Sequence, residues 1–452
     1  MIRTRGAAPG VAEGVMVVGA GVAGLSAAVL LARRGVEVEV WEAADAPGGL
    51  LAPVRFSGHD CDRGSHRVHP AAHPLLLELT RAAAWTERPR EGRLVLGGRQ
   101  IRYPIHPLGF LRGLGVGAAV DMGLGYLLRR AQRDRYRRWE QERGVAERSD
   151  RGFEAFVVER VGWGAYRRFY RPYAVKVWGE EPRFISQSVA KQRVSMSHPL
   201  RSVLSGRRRA SNAGTFLYPR TGMAELIRLL RAEAEALGVR MRFGRRFDVA
   251  NAPPDRRPII FSGNLGDLVP DAGLEHRGLY LLHLSFPADA VSEVDTWYVP
   301  EGRYWFGRVS QPAQFSSGFA QADRTILCVE IPEGRWGARR NFLQDLDSVA
   351  EQLRHAGILR RDAGVIDASQ TFVPGVYPLY VRGWYDRWQQ ALQRVSELGN
   401  VFPVGRQGLF LHCNMDHSVR IAADAVEHLV GGGSVEGWMA QCSRYLDFQV
   451  RD

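Results

Sequence analysis

Residues 15–43, VMVVGAGVAGLSAAVLLARRGVEVEVWEA, decide the fold class. The apolar VMVV predicts a buried strand. Gly19, Gly21 and Gly24 follow it at GxGxxG spacing, and a helical pattern then runs to Gly35. The first glycine permits a tight turn, the second lets a pyrophosphate approach the backbone, and the third lets the helix pack on the strand. The stretch therefore predicts a βαβ unit that binds a dinucleotide at the start of its helix.

Glu42 ends the second strand, where a carboxylate accepts hydrogen bonds from ribose hydroxyls. Two further features favour FAD over NAD as the dinucleotide. The first is Gly48-Gly49, which extends the phosphate-binding surface beyond the first turn. Near the other end of the chain, Gly405 follows a strand and a helix begins near Asp416. The positive end of that helix would stabilise negative charge on a reduced flavin, although Asp416 is also explained as a plain N-cap. No second complete fingerprint is present for a pyridine nucleotide.

Composition narrows the class of protein. The chain has 452 residues, 45% of them hydrophobic and 24% charged, and a net charge of +13. Only Lys176 and Lys191 are lysines, and the arginines are spread along the chain. This spread argues against a nucleic-acid partner, which requires basic and aromatic residues on one face. The four scattered cysteines and the lack of a signal peptide or an 18-residue apolar run predict a cytoplasmic enzyme without a metal site.

The order of patterns predicts an α/β fold with a Rossmann-type FAD-binding domain and an inserted α+β substrate domain. The FAD-binding domain is expected to combine three segments: 14–70, 214–263 and 395–432. The substrate domain is expected to have a helical part at 71–213 and a mainly β-sheet part at 264–394. Residues 433–452 form a C-terminal extension.

One segment leaves a peripheral membrane contact open. Residues 105–139 are apolar and glycine-rich, then strongly basic, which is typical of an interfacial segment. Arg112 and Asp121 interrupt the apolar part. A helix that lines the substrate domain and ends in solvated arginines explains the pattern equally well.

Five stretches in this order resemble the FAD-dependent amine oxidase / protoporphyrinogen oxidase superfamily, and within it the branch that includes UDP-galactopyranose mutase. Together they span nearly the whole chain. They are GAGVAGLSAA with its acid and GG pair, DRGSHRVHP (62–70), YRPYAVKVWGEEP (170–182), FLYPRTGMAEL (216–226) and GRQGLFLHCNMDHS (405–418). The resemblance implies FAD as cofactor and a small organic molecule as substrate.

The resemblance also implies site residues. Arg406 matches an arginine that keeps the flavin reactive, and His66 and His69 match histidines beside the flavin; these three are the predicted catalytic residues. From the residues alone, His69 is equally explained as a structural histidine, and the HxxH pair lacks a third metal ligand. The predicted cofactor-binding residues are Gly19, Gly21, Val22, Ala23, Gly24, Glu42, Ala43, Gly49, Leu50, Gly64, Ser65, Gly405, Arg406, Asn414, Met415 and Asp416.

Trp178, Arg193 and His412 are the predicted substrate-binding residues. Two positions depart from the mutase pattern: His412 stands where the mutases bind a diphosphate with tyrosine, and Asn414 stands where they have an acid. The stretch VSMSHP (194–199) also lacks the second arginine expected after Arg193. These departures weaken the expectation of a UDP-sugar substrate.

Three functions remain open from the sequence. The favoured one is an FAD-dependent oxidoreductase that accepts a hydride from an amine, an alcohol or a C–C bond undergoing desaturation. The alternative is a flavoenzyme that isomerises a nucleotide sugar through an adduct on N5 of the reduced flavin. A non-catalytic flavin sensor is the third, and the predicted pocket-forming inserted domain disfavours it.

Overall fold

The computed structural model describes residues 14–103, 113, 115–129, 131, 150, 152–193, 214–251, 256–337 and 339–450. The strands are β1 Val15–Val18, β2 Val38–Trp41, β3 Val54–Phe56, β4 His59–Cys61, β5 Trp85–Pro89, β6 Gly92–Leu96, β7 Arg99–Tyr103, β8 Thr215–Pro219, β9 Arg240–Arg242, β10 Ile259–Phe261, β11 His276–Pro287, β12 Thr296–Tyr298, β13 Arg308–Ser310, β14 Arg324–Pro332, β15 Asp367–Pro378 and β16 Val401–Pro403. The helices are α1 Val22–Ala32, α2 Pro74–Leu79, α3 Val116–Leu127, α4 Gly152–Ala165, α5 Arg171–Trp178, α6 Gln187–Arg193, α7 Ala224–Ala236, α8 Leu265–Leu268, α9 Pro312–Phe315, α10 Leu346–His355, α11 Trp384–Ser396, α12 Gly405–Gly408, α13 Met415–Val430 and α14 Val435–Gln441.

A five-stranded parallel sheet carries the dinucleotide motif. Its order is β16-β10-β1-β2-β9, so strands from three distant parts of the chain lie side by side. Helix α1 contacts α7 and α13, and residues 23–31 of α1 are all buried, because that helix packs on the sheet and between two other helices. The α/β fold with a Rossmann-type parallel sheet, predicted from the sequence, is confirmed.

A second, mixed sheet has seven strands in the order β15-β11-β14-β13-β12-β6-β7. Its long strands β11 and β14 are antiparallel neighbours, and β11 also pairs with the edge strand β15. Alternate residues of β11 point to opposite faces. Leu282 and Leu284 belong to a hydrophobic core with Trp297. Leu279 and Leu281 point to the other face of the sheet, where Leu50, which follows β2, packs against them.

The helical expectation for 71–213 is incomplete. Strands β5, β6 and β7 fall inside it; β5 pairs with β8, while β6 and β7 join the seven-stranded sheet. Gly97 and Gly98 link β6 to β7 with φ of +62° and +71°. A two-residue hairpin turn of this kind favours glycine, because both positions need positive φ. The glycine pair between the two short runs GRLVL and RQIRY was the missed signal.

Of the segment 105–139, the structure describes helix α3 and a few residues beside it. Its Gly125 approaches α4 so closely that a Cβ there would lie 2.9 Å from the backbone nitrogen of Gly164. The opposite side exposes apolar residues, among them Val116 and Leu127. None of the described helices has the length and apolar character needed to cross a membrane. The membrane contact therefore stays a prediction.

Candidate functional site

The glycine-rich turn forms one end of a cleft. Gly19 has a φ of +95°, and a Cβ on Gly24 would lie 1.9 Å from the carbonyl oxygen of Gly19. A Cβ on Gly19 would lie 2.4 Å from Oγ of Ser262, which follows β10. Glycine is thus required at both positions, and it lets the start of α1 pack directly against the end of the sheet.

Glu42 is fixed beside that turn. Its Oε2 accepts a hydrogen bond of 2.7 Å from the backbone nitrogen of Ala20, and its Oε1 accepts one of 2.9 Å from Ala44. Each carboxylate oxygen has a further lone pair. Glu42 therefore has the position and the acceptor capacity for ribose hydroxyls, and Ala43 lines the cleft beside it.

A second pair of glycines brings another backbone segment to the turn. Gly48 donates a hydrogen bond of 2.9 Å to the carbonyl of Ala20. Gly49 has a φ of +55°, and a Cβ there would lie 3.3 Å from Cα of Gly21. The two backbones therefore form a narrow groove without side chains, which suits a pyrophosphate.

We call the whole depression the dinucleotide cleft. Its cavity volume is about 380 Å³, and it extends from the glycine turn to residues that follow β4 and to strand β13 of the seven-stranded sheet. Gly405 closes one side; its φ is +74°, and a Cβ there would lie 2.8 Å from Cβ of Ala23. The cleft brings together these predicted cofactor residues: Gly19, Gly21, Val22, Ala23, Glu42, Ala43, Gly49, Leu50, Ser65, Gly405, Arg406, Asn414 and Met415.

His66 lies at the far end of the cleft in its neutral form. Burial lowers its pKa to about 4, and the nearby positive charge of Arg308 adds to this shift. Within the described part of the chain, Nδ1 of His66 and Oγ of Ser65 are buried without a hydrogen-bond partner. Oε1 of Gln407, also in the cleft, is in the same state. Unsatisfied buried polar atoms are rare in proteins, so these atoms fit a cleft that binds a polar group such as a flavin ring.

Arg406 is held by backbone carbonyls. Its Nε donates to the carbonyl of Cys413 at 3.0 Å, its Nη2 donates to the same oxygen, and its Nη1 donates to Val376 at 3.4 Å. The guanidinium is thereby fixed at the wall of the cleft. Asn414 caps α13 and, with Met415, places the positive end of that helix at the cleft.

Several predicted residues do not line the cleft. Asp416 is buried, and its Oδ2 accepts a hydrogen bond of 2.9 Å from the backbone nitrogen of His73, so it anchors the start of α13. His69 uses Nδ1 to accept a bond of 3.0 Å from Ala71. Gly24 acts through helix packing. Gly64, with a φ of +96°, lets its loop approach Glu330.

Two of the predicted substrate residues, Trp178 and His412, also do not line the cleft. Trp178 is buried and packs on Phe153 at 6.0 Å between ring centroids, which makes it a core residue. His412 is buried against Tyr380, with 4.7 Å between ring centroids, and its backbone nitrogen donates a hydrogen bond of 3.2 Å to the Tyr380 hydroxyl. Arg193 ends α6, and its side chain lies outside the described residues.

Sequence reasoning missed a charged cluster at the far end. Arg308 donates from Nε and Nη2 to the buried carboxylate of Glu330, at 2.8 and 2.7 Å. Arg67 pairs with Asp295 at 3.3 Å and donates to Tyr298 at 3.4 Å. Arg67, Arg308 and Tyr298 line the cleft. Tyr298 and Arg308 lie on strands without a motif, so the sequence offered no local signal for them, whereas Arg67 lies within the stretch 62–70, in which it was not singled out.

Comparison with known proteins identifies the family. The model of the flavin-containing amine oxidoreductases matches residues 22–248, half of the chain. The chain belongs to this family. Membership confirms the cofactor prediction, FAD, and makes the protein a flavin-dependent enzyme of the oxidoreductase type.

Solved structures and one curated relative resemble this flavin-containing amine oxidoreductase. Reduced UDP-galactopyranose mutase is 18% identical with a TM-score of 0.80, covering 97% of this chain and 99% of its own. A candidate protoporphyrinogen oxidase of Exiguobacterium sp. is 16% identical with a TM-score of 0.67, covering 92% and 98%. These likenesses show the fold. Hydroxyneurosporene desaturase of Rubrivivax gelatinosus is 48% identical over 50 residues, which are 11% of this chain and 10% of that relative.

Proposed function

We propose that the protein is an FAD-dependent oxidoreductase that accepts a hydride from a small organic substrate: an amine, an alcohol or a C–C bond to be desaturated. One observation carries the proposal. A single cleft joins the dinucleotide end, with Glu42, to an end lined by His66, Arg308 and Arg406. FAD, when bound, supplies the capacity to accept the hydride.

The chain's own residues would bind the cofactor and the substrate and orient them. Arg406 is bonded only to carbonyls in the contacts described above, so its positive charge stays available at the cleft wall. With the start of α13 it would stabilise negative charge that develops beside it. His66 is neutral at physiological pH and can exchange a hydrogen bond with substrate without adding charge.

The test is reduction of the flavin by substrate without oxygen. The purified holoprotein is mixed anaerobically with amines, alcohols and saturated precursors of conjugated compounds, and flavin absorbance is followed. Rapid bleaching by one class supports the proposal and identifies the substrate class. If every class leaves the flavin oxidised while a nucleotide sugar is converted by the pre-reduced protein, the proposal is wrong.

A second candidate, isomerisation of a nucleotide sugar, is favoured by the guanidinium groups of Arg67 and Arg308, because cations in this cleft could attract a diphosphate. Each of them already pairs with a carboxylate, Asp295 or Glu330, which reduces that attraction. The decisive assay adds a panel of nucleotide sugars to the pre-reduced protein. Isomerised product without reoxidation of the flavin would favour this candidate over the oxidoreductase.

A further inference from the structure

Two further residues, Trp41 and Arg245, lie next to each other at the dinucleotide end of the cleft. The Cζ atom of Arg245 lies over the ring of Trp41, 5.1 Å from its centroid. Both side chains line the cleft beside Glu42. Arg245 follows β9, whereas Trp41 is the last residue of β2, so the parallel pairing of these strands brings them together.

Backbone contacts fix this pair relative to the ribose anchor. The backbone nitrogen of Arg245 donates to the carbonyl of Glu42 at 2.8 Å, and Gly244 donates to Ala44 at 2.9 Å. The indole of Trp41 is held from behind, because its Nε1 donates to Oε1 of Glu39 at 3.0 Å. The adenine of FAD is attached directly to the ribose, so it must lie within a few ångströms of the residue that binds that ribose.

The chemistry of the arginine suits a nucleobase. A guanidinium is planar and weakly hydrated, and it stacks on aromatic rings and on bases. Within the described part of the chain, no carboxylate oxygen lies within salt-bridge distance of Arg245, whereas its neighbour Arg246 pairs with Asp267 at 3.4 Å. Since the indole of Trp41 lies on one side of the Arg245 guanidinium and both side chains line the cleft, the side of the guanidinium away from Trp41 is left for a ligand.

We propose that Arg245, held over Trp41, is the platform on which the adenine base of FAD stacks. The order is indole, guanidinium, adenine. This assigns Arg245 to cofactor retention rather than to the reaction, so the inference does not depend on the substrate.

The rate of FAD release from the holoprotein tests the platform. Free flavin fluorescence is followed after dilution of the wild type, Arg245→Ala, Arg245→Lys and the control Arg240→Ala, at low and high salt. Arg240 is on the same sheet edge, pairs with Glu37 on the surface and does not line the cleft. Loss of a stacked base contact predicts release about tenfold faster from both Arg245 variants, at either salt concentration.

Each alternative result overturns the proposal. Equal release from Arg245→Ala and Arg240→Ala means that the guanidinium does not contact the base. The proposal is also wrong if Arg245→Lys releases FAD at the wild-type rate and Arg245→Ala releases it faster only at low salt. That result means that positive charge attracts the pyrophosphate and that a planar guanidinium is not needed. Arg245→Lys keeps the charge and most of the stem, so it remains a readable variant if Arg245→Ala does not fold. Flavin release is measured without substrate, so its outcome is independent of the proposed reaction.

Discussion

Arg308 and Glu330 occupy directly paired positions of the neighbouring strands β13 and β14, and two hydrogen bonds of 2.8 and 2.7 Å join their side chains. The same carboxylate accepts a bond of 2.8 Å from the backbone nitrogen of Ser65. Glu330 thus connects the seven-stranded sheet to the loop that carries His66. The floor of the cleft and the loop with His66 are held by one buried acid.

Glu330→Gln should destabilise the protein by about 3–5 kcal/mol, because a glutamine of the same shape leaves the charge of Arg308 without a buried counterion. The free energy of unfolding is measured by chemical denaturation. Asp289→Asn is the matched control, since Asp289 pairs with Arg360 at an exposed site and should change stability by no more than about 0.5 kcal/mol. Equal effects of the two substitutions would contradict the buried-pair interpretation.

Gly405→Ala should lower the FAD content of the purified protein. The new Cβ would lie 2.8 Å from Cβ of Ala23, in a backbone conformation with a φ of +74°. Moving either residue disturbs the pyrophosphate groove at the start of α1. Gly399→Ala is the control, because its φ is +78° and nothing lies within 4 Å of its Cβ position. FAD absorbance per protein distinguishes them: the control should retain FAD, and a similar loss in both would assign the effect to backbone strain alone.

Arg406→Ala should slow reduction of the bound flavin by about 10²-fold or more, since a fixed positive charge at the cleft wall would be lost. Stopped-flow absorbance with the substrate found in the anaerobic screen measures the rate. Arg240→Ala serves again as a surface control and should keep the wild-type rate. A near-normal rate in Arg406→Ala would mean that the reacting centre has been misplaced.

The sequence predicted the dinucleotide end of the cleft because its signals are local. Gly19 and Glu42 are 23 residues apart in one βαβ unit, and their spacing alone implies the turn and the ribose anchor. Arg308 and Glu330 come together only through strand pairing, so neither carried a readable pattern. Trp178 and His412 match positions of the family pattern, yet both side chains are buried, because a matched position does not reveal whether a side chain faces the cleft or the core.

His66 should stay neutral from pH 5 to 8, so the rate of flavin reduction should show no His66 titration near pH 6.5 in that range. Burial, and then the charge of Arg308, lowers its pKa to about 4 from 6.5. The unfolded chain therefore binds more protons between pH 4 and 6.5, and the contribution of His66 to stability is lost as the pH falls through that window. His66→Gln should remove this acid sensitivity. An unchanged stability-versus-pH curve would contradict the burial of a neutral ring.

Asp62 should have the opposite effect on the pH dependence of stability from His66. It is buried, and it accepts hydrogen bonds of 2.7 Å from the hydroxyl of Tyr218 and 2.9 Å from the backbone nitrogen of Met223. Burial raises its pKa to about 6 from 3.8, against the lowering effect of these two bonds. The folded state therefore binds more protons than the unfolded state in this window, and stability falls as the pH rises from 4 to 6.

Asp62→Asn keeps an acceptor for Tyr218 or Met223 and cannot ionise. Its stability relative to the wild type should consequently improve between pH 4 and pH 7, by about 3 kcal/mol at most. Denaturation midpoints at several pH values measure the difference. Asp60→Asn is the control: Asp60 is a half-buried carboxylate two residues away that pairs with Arg55 at 3.1 Å, so its substitution removes a nearby charge without changing the contacts of Asp62 with Tyr218 and Met223. An unchanging stability difference for Asp62→Asn across this pH range would mean that Asp62 ionises in the folded protein as readily as in the unfolded chain.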